Sequence, residues 1–342
     1  MFTKQRALLL LGASGLLTSA STVPLQRRDD GCGKPHHSGY NNSTASHTLD
    51  SDRTYTIYVP ENYDADHKYP LILDYHGAKG DANGQHKNSQ YDLSSRGKQY
   101  VVVYPNGKVD KDGEDQAWGG APYTNTTPAE DLQFTQDLVT HIKEQYCIDT
   151  NRIYASGKSN GGGFVDTLAC SNTGDQFAAF AMAAPALYTD DNSTAYLKLC
   201  PKKRAILEVH GAKDKTICYD GTDSSTYDCH TKKIPQIDQW VSWWGQRTCG
   251  KNAKPDDAAA HRPVAPENFE ATSYSCGEYE RIVTHYKGEE MGHCWPVMRE
   301  PENGDGGRSY CKDRSMQFTD YVLDFFETWD LEKAPKSPKG ST

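Results

Sequence analysis

The stretch RIYASGKSNGGGF, residues 152–164, places a serine between glycines where an apolar, β-branched run ends. Gly157 to Gly161 fit the pattern G-x-S-x-G, with a predicted strand before them and a predicted helix after them, which is the context of a nucleophile elbow. The serine of such a turn is strained, so residues two before and two after it must lack colliding side chains. The positive end of the following helix favours negative charge beside the serine. The stretch predicts Ser159 as a nucleophile; the alternative is an ordinary tight glycine turn.

A nucleophilic serine needs a base, and the base needs an orienting carboxylate. Asp214 follows the predicted strand RAILEVHG, and His293 follows the predicted strand RIVTHYKG in the loop EEMGHCWP. The chain order serine, aspartate, histidine is that of the α/β-hydrolase triad. Asp220 and Asp223 remain alternatives to Asp214 as the acid. Ser159, Asp214 and His293 are therefore the predicted catalytic residues.

Other histidines compete with His293. His285 lies inside a predicted strand and is not expected to reach the active edge of the sheet. His76 and His210 each end a strand as His-Gly and are expected to shape those turns rather than to transfer protons. Cys294, directly after His293, is expected to pin the loop of the base through a disulfide.

An oxyanion hole needs backbone N–H groups, one of them from the residue after the nucleophile. That residue is Asn160, and the predicted second donor is the N–H of Ala78 in the loop HGAKG after an early strand. An aromatic acyl group needs an apolar, aromatic-lined slot. Trp118, Tyr123 and Trp295 are the candidate substrate contacts; the alternative is that such aromatic residues belong to the core.

Apolar strands alternate with helices along the chain. Predicted strands include YPLILDYHG, QYVVVYPNG, QFAAFAMAAPA and RAILEVHG, and predicted helices include AEDLQFTQDLVTHIKEQY, IPQIDQWVSWWGQR and MQFTDYVLDFFETW. Strands that are apolar throughout and alternate with helices indicate an α/β protein with a mostly parallel central sheet and helices on both faces. In such sheets, active groups gather where strands end.

The ends of the chain predict processing. Residues 1–20 have a positive start, a short apolar run and small residues at a cleavage site, as a secretory signal peptide does, and the dibasic Arg27-Arg28 suggests a propeptide over residues 21–28. Residues 29–331 are the expected single catalytic domain, and residues 332–342 the expected flexible tail. Removing residues 1–28, which contain four basic residues and no acidic one, changes the formal net charge from −9 to −13. That charge argues against nucleic-acid binding, and no segment predicts a membrane span.

All ten cysteines lie after the predicted signal peptide, and none forms a C-x-x-C pair. An even number in a secreted chain indicates disulfides rather than a metal site. Cys170–Cys200 and Cys218–Cys229 are the predicted local pairs. Four N-x-S/T sequons are candidate glycosylation sites: Asn41, Asn42, Asn125 and Asn192.

Seven motifs occur in a fixed order: LILDYHGAKG, VVVYPNG, WGG, ASGKSNGGG, FAAFAMAAPA, VHGAKD and GHCWP. Over about residues 54–329, the chain resembles the secreted esterases of carbohydrate esterase family one, and closely the fungal feruloyl esterases of the D type. Polyhydroxybutyrate depolymerases are more distant relatives of the same build. One departure is that Lys158, not cysteine, precedes Ser159, which argues against the tannase-like group with cysteines beside both serine and histidine.

The resemblance implies an α/β-hydrolase fold with no metal or organic cofactor. It also implies hydrolysis of feruloyl esters on plant cell-wall sugars such as arabinoxylan, and so a feruloylated polysaccharide or oligosaccharide as the partner. Acetyl xylan esterase and polyester depolymerase activities remain alternatives that use the same triad. A non-catalytic binding protein on this fold is disfavoured because no triad residue is missing.

Overall fold

The computed structural model describes Met1 and residues 31–42, 48–49, 53–109, 113–188, 200–221, 234–257, 264–298, 311 and 315–337. The strands within these ranges are β1 Gly39–Asn41, β2 Tyr55–Val59, β3 Tyr69–Tyr75, β4 Val101–Pro105, β5 Lys108–Val109, β6 Gln116–Ala117, β7 Ile148–Lys158, β8 Ala179–Ala183, β9 Ile206–Gly211, β10 Phe269–Cys276 and β11 Tyr279–Gly288. The α-helices are α1 Ala82–Ser89, α2 Pro128–Gln145, α3 Asn160–Ala169, α4 Ile237–Cys249 and α5 Phe318–Thr328. Short 3₁₀ turns lie at Tyr91–Leu93, Gly97–Gln99 and Thr173–Gln176.

Nine strands form one sheet in the order β1-β2-β4-β3-β7-β8-β9-β11-β10. Neighbouring strands from β4 to β11 are parallel, whereas β1, β2 and β10 pair antiparallel at the two edges. The central strands β3, β4, β8 and β9 are buried along their whole length. Burial on both faces explains why these strands are apolar throughout. The prediction of a mostly parallel sheet with helices is confirmed.

Alternate residues of β3 show which helices cover each face of the sheet. Asp74 accepts hydrogen bonds from Gln85 of α1, and the neighbouring Tyr75 bonds Thr135 of α2 through its hydroxyl. Because successive side chains of a strand point to opposite faces, α1 and α2 lie on opposite sides of the sheet. Helix α5 lies with α1, since the Thr319 hydroxyl donates to the backbone oxygen of Ser89. Helices α3 and α4 lie with α2.

The elements that the sequence did not predict are short or polar. Helix α1 has few apolar residues, and its start is fixed by Asp81, whose carboxylate accepts from the Gly84 N–H. Strand β10 is the edge strand of the sheet and is only partly buried. Helix α2, in contrast, begins with Pro128 and with a capping box between Thr127 and Glu130, and both start signals can be identified in the sequence.

Four disulfides join described cysteines: Cys32–Cys147, Cys170–Cys200, Cys249–Cys276 and Cys294–Cys311. The predicted Cys170–Cys200 pair is confirmed. Cys218 is disulfide-bonded as well, and its predicted partner Cys229 lies outside the described residues. Apart from Met1, the predicted signal peptide and propeptide also lie outside them. None of the helices in the described ranges combines the length and apolar character that a membrane crossing needs.

Candidate active site

Ser159 occupies the turn between β7 and α3 with a backbone that non-glycine residues rarely adopt. Its φ and ψ are 55° and −122°. Backbone hydrogen bonds hold this conformation: the Ser159 N–H donates to the Ala183 carbonyl at 2.9 Å, and the Ser159 carbonyl accepts from Gly163 and from Ala186, each at 2.9 Å. The strained turn leaves the Ser159 side chain part-exposed above the end of the sheet.

The flanking glycines are required by close backbone contacts. A Cβ atom at Gly157 would lie 2.8 Å from the backbone of Gly161. A Cβ atom at Gly161 would lie 2.3 Å from the carbonyl oxygen of Tyr75 and 2.4 Å from that of His76. Separations under 3.0 Å cannot be accommodated by the backbone of a packed core. The G-x-S-x-G spacing is therefore a packing requirement of this turn.

Three distant side chains meet at this turn. His293 Nε2 lies 2.8 Å from Ser159 Oγ, and His293 Nδ1 lies 2.7 Å from Asp214 Oδ2. A carboxylate can only accept, so Nδ1 carries a proton and Nε2 is left as the base for the serine hydroxyl. The arrangement can remove a proton from Ser159 and return it to a leaving group. The alternative acid Asp220 is exposed, and Asp223 lies outside the described residues.

Asp214 is fully buried, yet it is held as an anion. Burial alone raises the pKa of a carboxyl group, but His293 and His210 beside Asp214 outweigh burial and bring its pKa below the usual value. Asp214 Oδ1 also accepts the N–H groups of Thr216 and Ile217, at 2.8 and 2.9 Å. Asp214 is therefore both charged and fixed in orientation.

His293 lies on a loop with three anchors. Cys294 is bonded to Cys311, and the Lys213 N–H donates to the Met291 carbonyl at 2.9 Å. A Cβ atom at Gly211, at the end of β9, would lie 2.2 Å from that same carbonyl oxygen. The third anchor is Trp295, whose indole N–H donates to Thr319 of α5. These contacts bring the His293 loop against the Asp214 loop.

The loop after β3 lies beside the nucleophile. A Cβ atom at Gly77 would lie 3.2 Å from Ser159 Cβ and 3.8 Å from Ser159 Oγ. Ala78, the predicted oxyanion donor, is the next residue. Asn160 is the first residue of α3, and first-turn N–H groups have no partner within a helix. The two predicted donors therefore lie in segments that flank Ser159.

Trp118 connects these two segments from below. Its backbone N–H donates to Asn160 Oδ1 at 2.7 Å, its carbonyl accepts from Asn160 Nδ2 at 3.1 Å, and its indole N–H donates to the His76 carbonyl at 2.9 Å. Trp118 is 0% exposed, packed on Tyr75 and Phe164. The indole thus has no free face for the substrate contact predicted from the sequence.

The other two predicted substrate contacts differ in exposure. Trp295 is buried between Tyr91 and Phe318. Tyr123 is 38% exposed and meets Tyr188 edge to face, with ring centroids 6.3 Å apart. Of the three, Tyr123 alone offers open aromatic surface. Among the sequons, Asn41, Asn42 and Asn125 are exposed, and Asn192 lies outside the described residues.

The sequence interpretation did not single out Glu208, and it gave His210 and His285 no role at the site. All three are buried; Glu208 contacts both histidines, and His210 lies next to Asp214. The available signal was a glutamate and a histidine two residues apart inside the apolar strand ILEVHG. Buried charges in a strand require partners, so this spacing indicates a paired cluster.

Residues 46–284 match the profile of a family described as putative esterases. Feruloyl esterase B of Piromyces equi is 30% identical over 171 residues, which are 49% of this chain and 30% of that protein. The bifunctional acetylxylan esterase/xylanase XynS20E of Neocallimastix patriciarum is 27% identical over 69% of this chain and 30% of that protein. A probable feruloyl esterase C of Aspergillus niger is 27% identical over 60% of this chain and 69% of that protein. The chain thus spans under a third of the first two relatives, and the D type is not singled out among them.

The fold is shared with a solved acetyl xylan esterase from Aspergillus awamori. The TM-score is 0.50 at 16% identity, over 84% of this chain and 99% of that one. At this identity the likeness concerns the fold alone, and it confirms the predicted α/β-hydrolase architecture. Since the matched profile spans well over half of the 342 residues, the chain belongs to the putative esterase family.

Proposed function

We propose that the chain is a secreted serine esterase that hydrolyses feruloyl esters of plant cell-wall polysaccharide such as arabinoxylan. The observation that carries the proposal is the contact of Ser159 Oγ with His293 Nε2, backed by a buried, ionised Asp214. Feruloyl esterases of type B and C among the similar proteins support the substrate class. Secretion is supported by the disulfide-bonded cysteines and by the predicted signal peptide.

The proposed reaction is acyl transfer in two halves. Ser159 Oγ attacks the ester carbonyl carbon while His293 Nε2 takes the hydroxyl proton, and the N–H groups of Ala78 and Asn160 stabilise the resulting oxyanion. Collapse expels the sugar alkoxide, which takes that proton from His293 and leaves a feruloyl-serine ester. Water then attacks the acyl-enzyme while His293 Nε2 takes a proton from it. Collapse expels Ser159 Oγ, which takes that proton back, and ferulic acid leaves. Asp214 stays ionised throughout and holds the His293 tautomer.

A small apolar cluster lies next to the triad and supports an aromatic acyl group. Ala186, Ile217 and Ile234 are buried together, with Tyr188 packed against them. Ala186 donates its N–H to the Ser159 carbonyl, and Ile217 donates its N–H to Asp214 Oδ1. The cluster therefore lies between nucleophile and acid. We place the acyl side of the substrate here, with Tyr123 at its rim.

Ser159→Ala tests the nucleophile. The variant should lose turnover of methyl ferulate and labelling by a fluorophosphonate probe while keeping its circular-dichroism spectrum and melting temperature. Ser94→Ala is the matched control, because its hydroxyl bonds Asp320 of α5 rather than a residue of the triad. If labelling persisted in Ser159→Ala and was lost when another serine was replaced, that other serine would be the nucleophile.

The acyl group is tested with a panel of methyl ferulate, caffeate, p-coumarate and sinapate, set against acetylated xylan. Preference for a hydroxycinnamate is the expected result. Tyr123→Ala should raise KM for methyl ferulate more than for p-nitrophenyl acetate, because only the larger acyl group reaches the rim. If the protein only deacetylated xylan, the feruloyl assignment would be wrong and the esterase assignment would still hold.

Acetyl xylan esterase is the second candidate. The observation that favours it is the 27% identity to the bifunctional acetylxylan esterase/xylanase over 69% of this chain. The two candidates share every catalytic residue, so the substrate panel separates them.

We also propose that residues 29–331 form a single catalytic domain. The exposed residues Asn41, Asn42 and Asn125 are its proposed glycosylation sites.

A further inference from the structure

Two histidines contact the same oxygen of Asp214. His293 Nδ1 lies 2.7 Å from Asp214 Oδ2, and His210 Nε2 lies 3.4 Å from the same oxygen. His210 Nε2 also donates to the Ile217 carbonyl at 2.8 Å, while the Ile217 N–H donates to Asp214 Oδ1 at 2.9 Å. The loop that carries Asp214 is therefore folded around the His210 ring. His210 plays no part in the acyl-transfer steps described above.

Behind His210 lies a further buried carboxylate with a second histidine. Glu208 Oε1 lies 3.1 Å from His210 Nδ1, and Glu208 Oε2 lies 2.5 Å from His285 Nδ1. Glu208 and His285 are register partners on the parallel strands β9 and β11, so their side chains share one face of the sheet. Glu208, His210 and His285 are each at most 1% exposed. Among the described residues, no group of three or more such side chains is arranged to hold a metal ion.

The cluster reaches the surface through a tyrosine. His285 Nε2 lies 2.8 Å from the Tyr219 hydroxyl, which donates to Asp238 Oδ1 at 2.6 Å, and Asp238 is exposed in the first turn of α4. Two more charged groups act on Tyr219: the Lys287 ammonium lies 5.1 Å from its ring centroid, and the exposed Glu270 acts on it through its charge. Hydrogen bonds and close ion-pair contacts thus lead from the exposed Asp238 to the catalytic acid.

Donor and acceptor rules give His210 a positive charge when Glu208 is ionised. A carbonyl oxygen only accepts, so Nε2 toward Ile217 carries a proton, and an ionised Glu208 requires another proton on Nδ1. Burial lowers the pKa of His210, but Asp214 and Glu208 outweigh burial and raise it to about 10. Burial raises the pKa of Glu208, and the two histidines bring it below its usual value. Charges therefore alternate from Glu208 through His210 to Asp214.

We propose that Glu208 and His210 are positioning residues for catalysis, which hold Asp214 in place and set the pH at which His293 becomes a base. The proposal rests on the proposed serine-esterase function and goes beyond it. A positive charge on His210, across one oxygen from His293, partly cancels the field of Asp214 at His293. Removing that charge makes protonated His293 more favourable, so the base should form at higher pH.

Glu208→Gln tests this charge without removing a contact. The Gln carbonyl can accept from His285 Nδ1, and its amide can donate to an unprotonated His210 Nδ1, so packing is kept while His210 becomes neutral. The acid limb of kcat/KM should move up by about one pH unit. Activity should therefore fall roughly ten-fold at pH 5.5 and stay within about three-fold of the parent at pH 8.5.

The pH profile is measured with p-nitrophenyl acetate and, separately, as the rate of fluorophosphonate labelling, so that neither readout depends on the feruloyl group. Asp166→Asn is the matched control, because it converts another buried carboxylate whose Oδ1 accepts two indole N–H groups on α4. That control should leave the acid limb in place. His210→Gln should shift the limb in the same direction as Glu208→Gln, and Glu208→Gln carries the test if His210→Gln fails to fold.

A folded Glu208→Gln variant with an unshifted acid limb overturns the proposal, whether its rate is unchanged or falls equally at every pH. A shift of the same size in Asp166→Asn overturns it too. Failure of the proposed function looks different, because Ser159→Ala would then retain labelling and turnover.

Discussion

Two buried carboxylates, one in the loop after a strand and one inside a strand, differ in the groups that surround them and in their pKa. Asp214 follows β9 and faces two histidines, whereas Asp74 lies within β3 and accepts from the neutral donors Gln85 and Ser156. Burial raises the pKa of both. Cationic neighbours reverse that effect at Asp214, whereas hydrogen bonds at Asp74 only reduce it, so that its pKa is raised to about 6. Proximity to a positive charge, not burial, decides which of the two acids stays ionised at low pH.

The difference matches what each acid does. In the proposed reaction Asp214 must be an anion at every working pH, because it orients His293 and balances the charge that His293 gains. Asp74 touches no reacting group; it bonds Ser156, three residues before the nucleophile, and so supports the strand that carries the elbow. One acid serves chemistry and the other serves the core. Three substitutions test that division, beginning with the largest expected effect.

Asp214→Asn should lower kcat by about 10³–10⁴-fold. The Asn amide would offer an N–H toward His293 Nδ1, which then has to accept, and the His293 proton would move to Nε2, where Ser159 needs a base. kcat for p-nitrophenyl acetate near pH 8 measures the loss. Asp220→Asn, the exposed alternative from the sequence, should keep parental activity. A kcat within ten-fold of the parent in Asp214→Asn would remove Asp214 from the triad.

Asp74→Asn should change how stability depends on pH. Between about pH 4 and pH 6 the unfolded chain has released the Asp74 proton while the folded chain keeps it, so this acid lowers folding stability as pH rises through that window. Relative to Asn, the difference between pH 4 and pH 7 is on the order of 3 kcal/mol. The buried Gln85 Oε1, which lacks a partner among the described residues, is available to a donating Asn amide.

Urea unfolding of parent and Asp74→Asn at pH 4, 5, 6 and 7 gives the free energies to compare. Asp214 supplies the opposite sign: its lowered pKa adds stability above the unfolded pKa, and that stability is lost as pH falls. Because Asp214 is present in both proteins, the free energy of unfolding of the parent should rise relative to that of Asp74→Asn as pH falls from 7 to 4. A constant difference across that range would mean that Asp74 is ionised in the folded protein at pH 4.

The sequence was sufficient for the elements that depend on local pattern. Buried strands, the capped helix α2 and the elbow around Ser159 each carry their signal within a dozen residues, and the chain order of Ser159, Asp214 and His293 suffices to nominate the triad. The contact of Glu208 with His285 could not be predicted, because the two residues are 77 positions apart in the chain and meet only through the register of β9 against β11. The prediction of Trp118 as a substrate contact was wrong for a similar reason. Whether this indole faces the substrate or packs beneath the site depends on the fold, and the local sequence does not distinguish the two positions.

Ser156→Ala gives the smallest of the three effects and the finest test of the Asp74 side. It removes the hydroxyl that donates to Asp74 Oδ1 at 2.7 Å and accepts from the Tyr91 hydroxyl at 3.0 Å. A hydrogen bond to an ionised acid is worth about 1 kcal/mol more than one to a neutral acid, so unfolding free energy should fall by about 2 kcal/mol at pH 7 and by about 1 kcal/mol at pH 4. Thr135→Val is the matched control, since it removes the neutral partner of Tyr75 on the opposite face of β3, and its cost should not depend on pH. Equal costs for Ser156→Ala at both pH values would show that this hydroxyl does not stabilise the charge of Asp74.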